Sequence, residues 1–217
     1  MTRTADWQAL DAAHYLHPFT DHQALARKGT RVITRAEGVY LWDSEGNRLI
    51  DGMSGLWCVN VGYGRKELAD AAYQQMMTLP FYNSFFNCTT DSTLRLADRM
   101  TEILPEAFNH VFFTNSGSEA NDTNIRLVHR YFDLLDQPQK KHIIARTNGY
   151  HGSTICSASL GGMKGMHDQM QRLPYVHHVE QPYSFPHLGV QTAEDIGQQA
   201  AQSLADKIDE IGPENVA

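Results

Sequence analysis

The sequence predicts an α/β fold in which a mixed, mostly parallel sheet is flanked by helices and preceded by an antiparallel meander. Short apolar runs at 110–113, 142–146 and 175–179 have strand character, and helical patterns follow two of them. A helix over Ala193–Ile211 is marked by apolar side chains at helical spacing. Strands and helices that alternate in this way form doubly wound layers, in which ligands bind at the carboxyl ends of the strands.

The first part of the chain has a different pattern, with a helical arm and then closely spaced strands. Residues 4–28 predict a short helix and an irregular arm that is broken at His17-Pro18. Turns rich in glycine and polar residues then separate three strand-like segments, which predicts an antiparallel meander. These segments are Thr30–Arg35, Val39–Asp43 and Arg48–Asp51.

Two unusual loops lie on either side of the next predicted helix. Residues 52–64 contain four glycines together with Leu56 and Trp57, which indicates a loop that bends sharply. The spacing of apolar residues predicts a helix over 65–78. The segment 80–86 then carries four aromatic side chains with neither a helical nor a strand period. Two interpretations are open for it: core filling at a helix junction, or a hydrophobic wall for a ligand.

A further helix and a strand come before the most informative turn of the chain. We expect Asp91 or Ser92 to cap the helix, which runs through Ile103 and is stopped by Pro105. The apolar run His110–Phe113 is predicted to be a strand.

The turn after this predicted strand has the composition of an anion-binding site. Ser116, Gly117 and Ser118 lead into a helix, whose first N–H groups have no partner within the helix and whose dipole favours negative charge. Glycine permits the close approach of a phosphate, and the hydroxyls add donors. A nucleotide motif is not indicated, because the Walker A lysine and two of the three fingerprint glycines are missing here. The alternative is a plain capping role for the serines.

A second candidate side chain follows the next predicted strand. The strand 142–146 leads into the turn 147–152, which contains Tyr150. Because the carboxyl ends of parallel strands meet at one edge of a sheet, we expect the anion-binding turn and Tyr150 to lie near each other. An isolated tyrosine is more commonly a half-buried structural residue. The pairing with an anion site instead indicates an aromatic ring able to stack on a ligand.

Composition excludes several classes of function. Hydrophobic residues make up 41% and charged residues 20% of the 217 residues, which is ordinary for a globular protein. A net charge of −7 gives no support for binding nucleic acid or anionic membranes. Cys58, Cys88 and Cys156 form no CxxC pair and fit a reducing cytoplasm. We expect no metal site, secretory signal or membrane span.

Three motifs, taken together, carry a resemblance to a known family. They are Phe113–Asn121, Gly149–Gly152, and the meander Val39–Asp51 with the sequel that ends at Trp57. The sequence resembles the class III (ω-amino-acid) aminotransferases, which use pyridoxal 5′-phosphate (PLP), over nearly the whole chain. This resemblance implies the fold type I of PLP-dependent transferases. Residues 1–60 would be the arm and meander of the small domain, and residues 61–217 the first part of the PLP-binding large domain.

The resemblance also implies roles for individual residues at the cofactor. Gly117 and Ser118 would bind the phosphate through backbone N–H groups, with help from the Ser118 hydroxyl. Tyr150 would lie against one face of the pyridine ring. The implied cofactor-binding residues are Ser116, Gly117, Ser118, Tyr150, His151 and Gly152.

Within the family, the sequence is most similar to the amine:pyruvate and β-alanine:pyruvate enzymes. This implies transfer of an amino group from an amine or ω-amino acid to a 2-oxo acid such as pyruvate. An aromatic pocket would suit an amine with an apolar or aryl substituent. The aromatic segment around Phe85 reaches the neighbouring subunit's site in such enzymes, so a homodimer is implied. The implied pocket residues are Phe19, Leu56, Trp57, Phe85, Phe86 and Tyr150.

The resemblance places the remaining machinery outside this sequence. In the family, the catalytic lysine, the acid beside the pyridine nitrogen and the arginine for the substrate carboxylate all lie beyond the position of residue 217. We therefore expect this chain to be an amino-terminal half without catalytic residues of its own, inactive alone. Of its lysines only Lys164 lies near a plausible site, and its context does not match the family motif. Two alternatives stay open: a non-catalytic half that holds the cofactor or pairs with another chain, and a PLP-dependent racemase, aminomutase or decarboxylase.

Overall fold

A computed structural model describes residues 3–183, 185 and 190–217 of the chain. Packing within the chain divides it into two compact units, Met1–Leu96 and Ala97–Ala217. The domain boundary between residues 60 and 61 that the resemblance implies stays a prediction.

The arm of the first unit contains two helices, where the sequence predicted one. α1 spans Thr4–His14, and α2 spans His22–Lys28. The Asp21 carboxylate caps α2 by accepting hydrogen bonds from two backbone N–H groups of its first turn, at 2.9 and 3.0 Å. Gly29 ends α2 with a φ of 76°, a conformation that glycine adopts without strain. The aspartate before the helix and the glycine after it were the sequence signals for α2.

The predicted antiparallel meander is confirmed, with the strand order β1-β2-β3. Its strands are β1 (Ile33–Glu37), β2 (Tyr40–Asp43) and β3 (Arg48–Ile50). The buried Asp43 carboxylate holds the turn between β2 and β3, because it accepts hydrogen bonds from the backbone N–H groups of Glu45 and Asn47 at 3.0 and 2.9 Å. A further hydrogen bond from the Asn47 side chain is the main cause that holds the pKa of Asp43 below its usual range.

Two more helices match the predicted positions, but one cap does not. α4 spans Lys66–Thr78 and α5 spans Asp91–Ile103. The Thr90 hydroxyl caps α5, since it accepts a hydrogen bond from the backbone N–H of Thr93 at 3.3 Å. The prediction that Asp91 or Ser92 is the cap is therefore wrong. Asp91 already lies in the first turn, where its carboxylate binds Arg95 on the next turn.

The second unit is an α/β layer built on a parallel pair of strands. Its elements are α6 (Gly117–Leu134), β4 (Ile143–Arg146), α7 (Ile155–Leu160), α8 (Lys164–His167), β5 (Val176–Val179) and α9 (Ala193–Ile211). β4 pairs with β5 in parallel, as predicted, with Ile143 opposite Val176. A core forms where Ile125 of α6 packs with Leu160 and Val176. Burial of α6 and α7 against this pair positions the first turn of α6 near the end of β4.

The predicted strand at His110–Phe113 is wrong. These residues belong to neither a helix nor a strand, and Phe112 and Phe113 are exposed. Their apolar character indicated a strand, but a strand exists only where a neighbour supplies ladder hydrogen bonds. Within the described part of the chain, the backbone of this segment has no such partner.

Two adjacent histidines of β5 point to opposite faces, as expected for residues on a strand. The Nε2 atom of His177 lies 2.7 Å from Nδ1 of His142, whereas Nε2 of His178 lies 2.7 Å from the carbonyl oxygen of Gly161. Burial lowers the pKa of both histidines below the ordinary value of 6.5. Because a carbonyl oxygen can only accept, Nε2 of His178 donates to the Gly161 carbonyl.

Candidate cofactor and substrate site

The first turn of α6 is a capped helix start. Ser116 has extended backbone angles, and its hydroxyl accepts a hydrogen bond from the backbone N–H of Glu119 at 3.2 Å. The Glu119 carboxylate in turn accepts a hydrogen bond from the backbone N–H of Asn115 at 2.8 Å. These two hydrogen bonds together fix the direction in which the turn enters the helix.

Two backbone donors of this turn remain available for a ligand. The N–H groups of Gly117 and Ser118 donate to no acceptor among the residues that the structure describes. A Cβ atom placed on Gly117 would meet no other atom within 4 Å. Gly117 therefore borders open space at the positive end of the helix dipole, where an anion would be stabilised.

The Ser118 side chain joins α6 to the turn that follows β4. Its hydroxyl oxygen accepts a hydrogen bond from the backbone N–H of Ser153 at 3.0 Å, and its own hydrogen is left to donate. Its carbonyl oxygen accepts a hydrogen bond from the Ser157 hydroxyl at 2.9 Å. The side-chain amide of Asn121 donates to the carbonyl oxygen of His151 at 2.7 Å. The two segments predicted to form one site are thus brought together.

Gly152 packs against Ser118 so closely that no side chain fits. Its φ is 134°, which is rare for residues with a Cβ atom. A Cβ atom there would clash with the Ser118 hydroxyl and lie 2.6 Å from Cβ of Ser157. Position 152 therefore requires glycine for steric reasons, and its implied place in the cofactor site stays a prediction.

The opposite side of the same turn is held by a pair of glycines. The backbone N–H of Asn148 donates to the carbonyl of Gly162 at 3.0 Å, and that of Gly162 donates to the carbonyl of Gly149 at 2.8 Å. A Cβ atom on Gly162 would lie 2.6 Å from the backbone nitrogen of Asn148. Because His178 donates to Gly161, β5 also supports this contact. Nothing in the local sequence pattern indicated that Gly161 and Gly162 support the Tyr150 turn.

Asp122 is a further residue that sequence reasoning missed. Its carboxylate accepts a hydrogen bond from the Thr154 hydroxyl at 2.8 Å, which fastens α7 to α6. The Ser157 hydroxyl lies 3.1 Å from the same carboxylate and shares its single hydrogen between Asp122 and the Ser118 carbonyl. The sequence did contain a signal for this region, because Thr154 is a residue type that commonly caps helices. Burial raises the pKa of the Cys156 thiol, and the nearby Asp122 charge adds to the effect.

Tyr150 lies on the turn that Ser118 and the glycine pair hold from both sides. Tyr150 is 55% exposed. Lys164, the lysine nearest to a plausible site by sequence, instead pairs with Asp168 at 2.6 Å on the exposed side of α8. Its expected lack of a catalytic role stays a prediction.

The loop after β3 contains a turn of unusual handedness. Ser54, Gly55, Leu56 and Trp57 all have positive φ values between 49° and 66°. The backbone N–H of Cys58 donates to the carbonyl of Ser54 at 2.9 Å, which closes a single left-handed turn, α3 (Ser54–Trp57). Three of these residues carry a Cβ atom, so the turn stores about 3–6 kcal/mol at roughly 1–2 kcal/mol each. Glycine-rich sequence predicted a bend here but not this handedness.

The residues of the implied substrate pocket are divided between the two units. Phe19, Leu56, Trp57, Phe85 and Phe86 belong to the first unit and Tyr150 belongs to the second. All six side chains are exposed, Trp57 to 81%. Leu56 and Trp57 are consecutive residues of the left-handed turn, and the ring centroids of Phe85 and Phe86 lie 6.2 Å apart. That all six line one pocket stays a prediction.

In the part of the chain that the structure describes, no three His, Cys, Asp or Glu side chains are grouped so that they could hold a metal ion. No helix of residues 3–183, 185 and 190–217 is both long and apolar enough to cross a membrane.

The fold and the site together define an α/β protein in which a helix start with two available backbone N–H groups is fastened to the turn after a parallel strand. Residues 24–217 match the family of class-III aminotransferases, and the chain belongs to this family. Its fold is that of the fold type I PLP-dependent transferases, of which it contains a part.

Individual relatives give a more detailed comparison than the family as a whole. The chain is 53% identical over 216 residues to a putrescine–pyruvate aminotransferase of Pseudomonas aeruginosa, covering 99% of this chain and 47% of the relative. It is 44% identical over 189 residues to a vanillin aminotransferase of Capsicum chinense, covering 86% of this chain and 41% of the relative. The chain thus spans about half the length of the curated relatives it matches.

Solved structures agree with this assignment. An (S)-enantioselective omega-transaminase from Thermomicrobium roseum superposes with a TM-score of 0.93 and 37% identity, over 100% of this chain and 48% of that one. An omega-transaminase from Pseudomonas jessenii in complex with PMP gives a TM-score of 0.92 and 38% identity, over 97% and 47% of the two chains.

Proposed function

We propose that this protein is a PLP-dependent aminotransferase that moves an amino group from an amine or ω-amino acid to a 2-oxo acid such as pyruvate. Membership of the class-III family supports the reaction type. The observation that carries the proposal is the first turn of α6, where the N–H groups of Gly117 and Ser118 point away from any protein acceptor in the described chain.

The residues present fit a phosphorylated, planar cofactor. The phosphate would be held by the two free N–H groups and the Ser118 hydroxyl hydrogen, while the helix dipole stabilises its negative charge. The space beside Gly117 is open enough for that approach. The exposed ring of Tyr150 would stack on the cofactor and fix the plane in which it lies. When bound, PLP supplies an electron sink for the substrate's breaking bond.

The amine:pyruvate subtype is supported by the relatives and by the pocket residues. One relative is described as a putrescine–pyruvate aminotransferase, and others act on vanillin or γ-aminobutyrate by their names. Leu56, Trp57, Phe85 and Phe86 supply apolar and aromatic surface for an amine substituent. An apolar or aryl amine as donor and pyruvate as acceptor form the substrate pair that we propose.

Three further features belong to the same proposal. A homodimer is supported by the exposed aromatic surface at Phe85 and Phe86, since such apolar patches commonly mark interfaces. A cytoplasmic location is supported by three unpaired thiols. A small-domain segment at residues 1–60 and a large-domain segment at residues 61–217 complete the proposal.

The test uses the protein in the full length encoded by its gene, with PLP added. Amine donors of increasing size are incubated with pyruvate, and alanine is quantified together with the deaminated donor. Equal amounts of both products support the proposal. Bound PLP without alanine would favour a non-catalytic role or another PLP reaction, and carbon dioxide release or racemisation would separate these. Absence of PLP binding would overturn the proposal.

A Gly117 variant tests whether PLP binds at the first turn of α6. Gly117→Ala puts a methyl group into the open space where the phosphate would lie, so PLP binding should weaken by about tenfold, equivalent to about 1.4 kcal/mol. The fold should not lose stability, because alanine replaces glycine in a helix. Gly165→Ala is the matched control, since Gly165 is also a helical glycine with open space around it. Equal PLP affinity in both variants would contradict the assigned cradle.

A further inference from the structure

The left-handed turn α3 needs an explanation for its persistence, because residues with side chains disfavour positive φ. Such strain is retained only where the surrounding structure determines it. The turn carries Leu56 and Trp57, which are 68% and 81% exposed. The contacts that hold the backbone of α3 therefore also influence the direction of these two side chains.

A single carboxylate organises the start of this turn. Oδ1 of Asp51 accepts a hydrogen bond from the backbone N–H of Met53 at 3.2 Å, and Oδ2 accepts one from the backbone N–H of Gly55 at 2.7 Å. The Tyr63 hydroxyl donates to the same Oδ2 atom at 2.8 Å. These hydrogen bonds, that of Tyr63 first, hold the pKa of Asp51 below its usual range, so the acceptor is charged at neutral pH.

Tyr63 is itself fixed to the meander. Its backbone N–H donates to the carbonyl of Gly38 at 2.8 Å, and its carbonyl accepts a hydrogen bond from the N–H of Gly38 at 3.1 Å. Gly55, in the centre of α3, packs against the Tyr63 hydroxyl oxygen, since a Cβ atom on Gly55 would lie 3.0 Å from it. Tyr63 therefore connects the backbone beside the meander to the carboxylate that holds the turn.

We propose that Asp51 and Tyr63 are positioning residues that hold Trp57 in place, and thereby set the relative rates of the enzyme with bulky and small amines. This inference rests on the proposed aminotransferase function. The Asp51–Tyr63 pair acts through Trp57 and does not touch the substrate itself.

Kinetics of the full-length, PLP-loaded protein test the pair. Tyr63→Phe removes only the hydroxyl and should change the ratio of kcat/KM for an aryl amine to that for a small alkyl amine by about tenfold. Tyr73→Phe removes the hydroxyl of an exposed tyrosine on α4 and should leave the ratio unchanged. In a Trp57→Ala background, Tyr63→Phe should no longer change the ratio, because the residue through which it acts is gone.

Two results would overturn the inference. One is an unchanged amine ratio in Tyr63→Phe, and the other is an equal change in the ratio with and without Trp57. Asp51→Asn provides a second variant of nearly the same shape, and it should shift the ratio in the same direction as Tyr63→Phe.

A readout without turnover separates this inference from the proposed function. Fluorotryptophan-labelled protein gives a fluorine resonance for Trp57, which a Trp57→Phe variant assigns. Tyr63→Phe should shift or split this resonance and leave those of Trp7 and Trp42 in place. A displaced Trp57 signal in a protein that makes no alanine would refute the function but retain the positioning role. An unmoved Trp57 signal would refute the positioning role alone.

Discussion

Replacement of Gly152 by alanine should uncouple the Tyr150 turn from α6. The added methyl group would clash with the Ser118 hydroxyl and lie 2.6 Å from Cβ of Ser157, at a φ of 134°. The unfavourable φ costs about 1–3 kcal/mol, and the overpacking costs a similar amount. The sum is a local destabilisation of about 2–6 kcal/mol.

Amide hydrogen exchange measures this loss where it occurs. The backbone N–H of Ser153 donates to the Ser118 hydroxyl, so its exchange reports directly on the joint. In Gly152→Ala the exchange of this amide should accelerate by more than about tenfold, since 1.4 kcal/mol corresponds to a factor of ten. PLP affinity should fall as well, because Ser118 is displaced.

The matched control is Gly165→Ala, a glycine with no atom close to its would-be Cβ. This control should leave Ser153 exchange and PLP affinity unchanged and stabilise the protein by about 0.4–1 kcal/mol. Unchanged Ser153 exchange in Gly152→Ala, together with unchanged PLP affinity, would refute the steric reasoning.

Three further predictions concern the ring, the pocket and pH. Tyr150→Ala should weaken PLP retention and slow turnover while Tyr150→Phe keeps both, and equal PLP titrations for all three proteins would count against stacking. Trp57→Ala should shift amine preference in competition assays but leave PLP affinity alone; lost cofactor with unchanged preference would be evidence against its place in the pocket. Because burial lowers the pKa of His177 and His178 from 6.5, the unfolded state binds more protons below that pH. Stability should therefore be complete above about pH 6.5 and fall in urea titrations as pH drops below it, less steeply in His178→Gln.

Periodic apolar patterns were sufficient to predict most elements of the fold. The meander, α4, α9 and the parallel strands β4 and β5 all follow from local spacing. The segment 110–113 shows the limit of such reasoning, because apolar side chains mark a strand only if a neighbour accepts its backbone hydrogen bonds. The capping residue of α5 was predicted wrongly because several adjacent residues are of a type that can cap a helix. Only the three-dimensional geometry selects Thr90 among them.

The candidate site was predictable where function is carried by a contiguous motif. Ser116, Gly117 and Ser118 stand at a helix start, and the chemistry of helix termini follows from their sequence. The supporting contacts were not predictable, because they join residues far apart in the chain. Asp51 meets Tyr63 across 12 positions, and Ser118 meets Ser153 across 35, without any periodic signal.

The turn that carries Tyr150 is held entirely by the protein's own hydrogen bonds, to α6 through Ser118 and Asn121 and to Gly162 on its other side. A ligand that arrives there meets groups already in order, so little conformational entropy is lost on binding. In the proposed aminotransferase, PLP would bind without a folding step, so diffusion and charge would set its rate of capture. The same preorganisation would let PLP leave and return without local unfolding of the site.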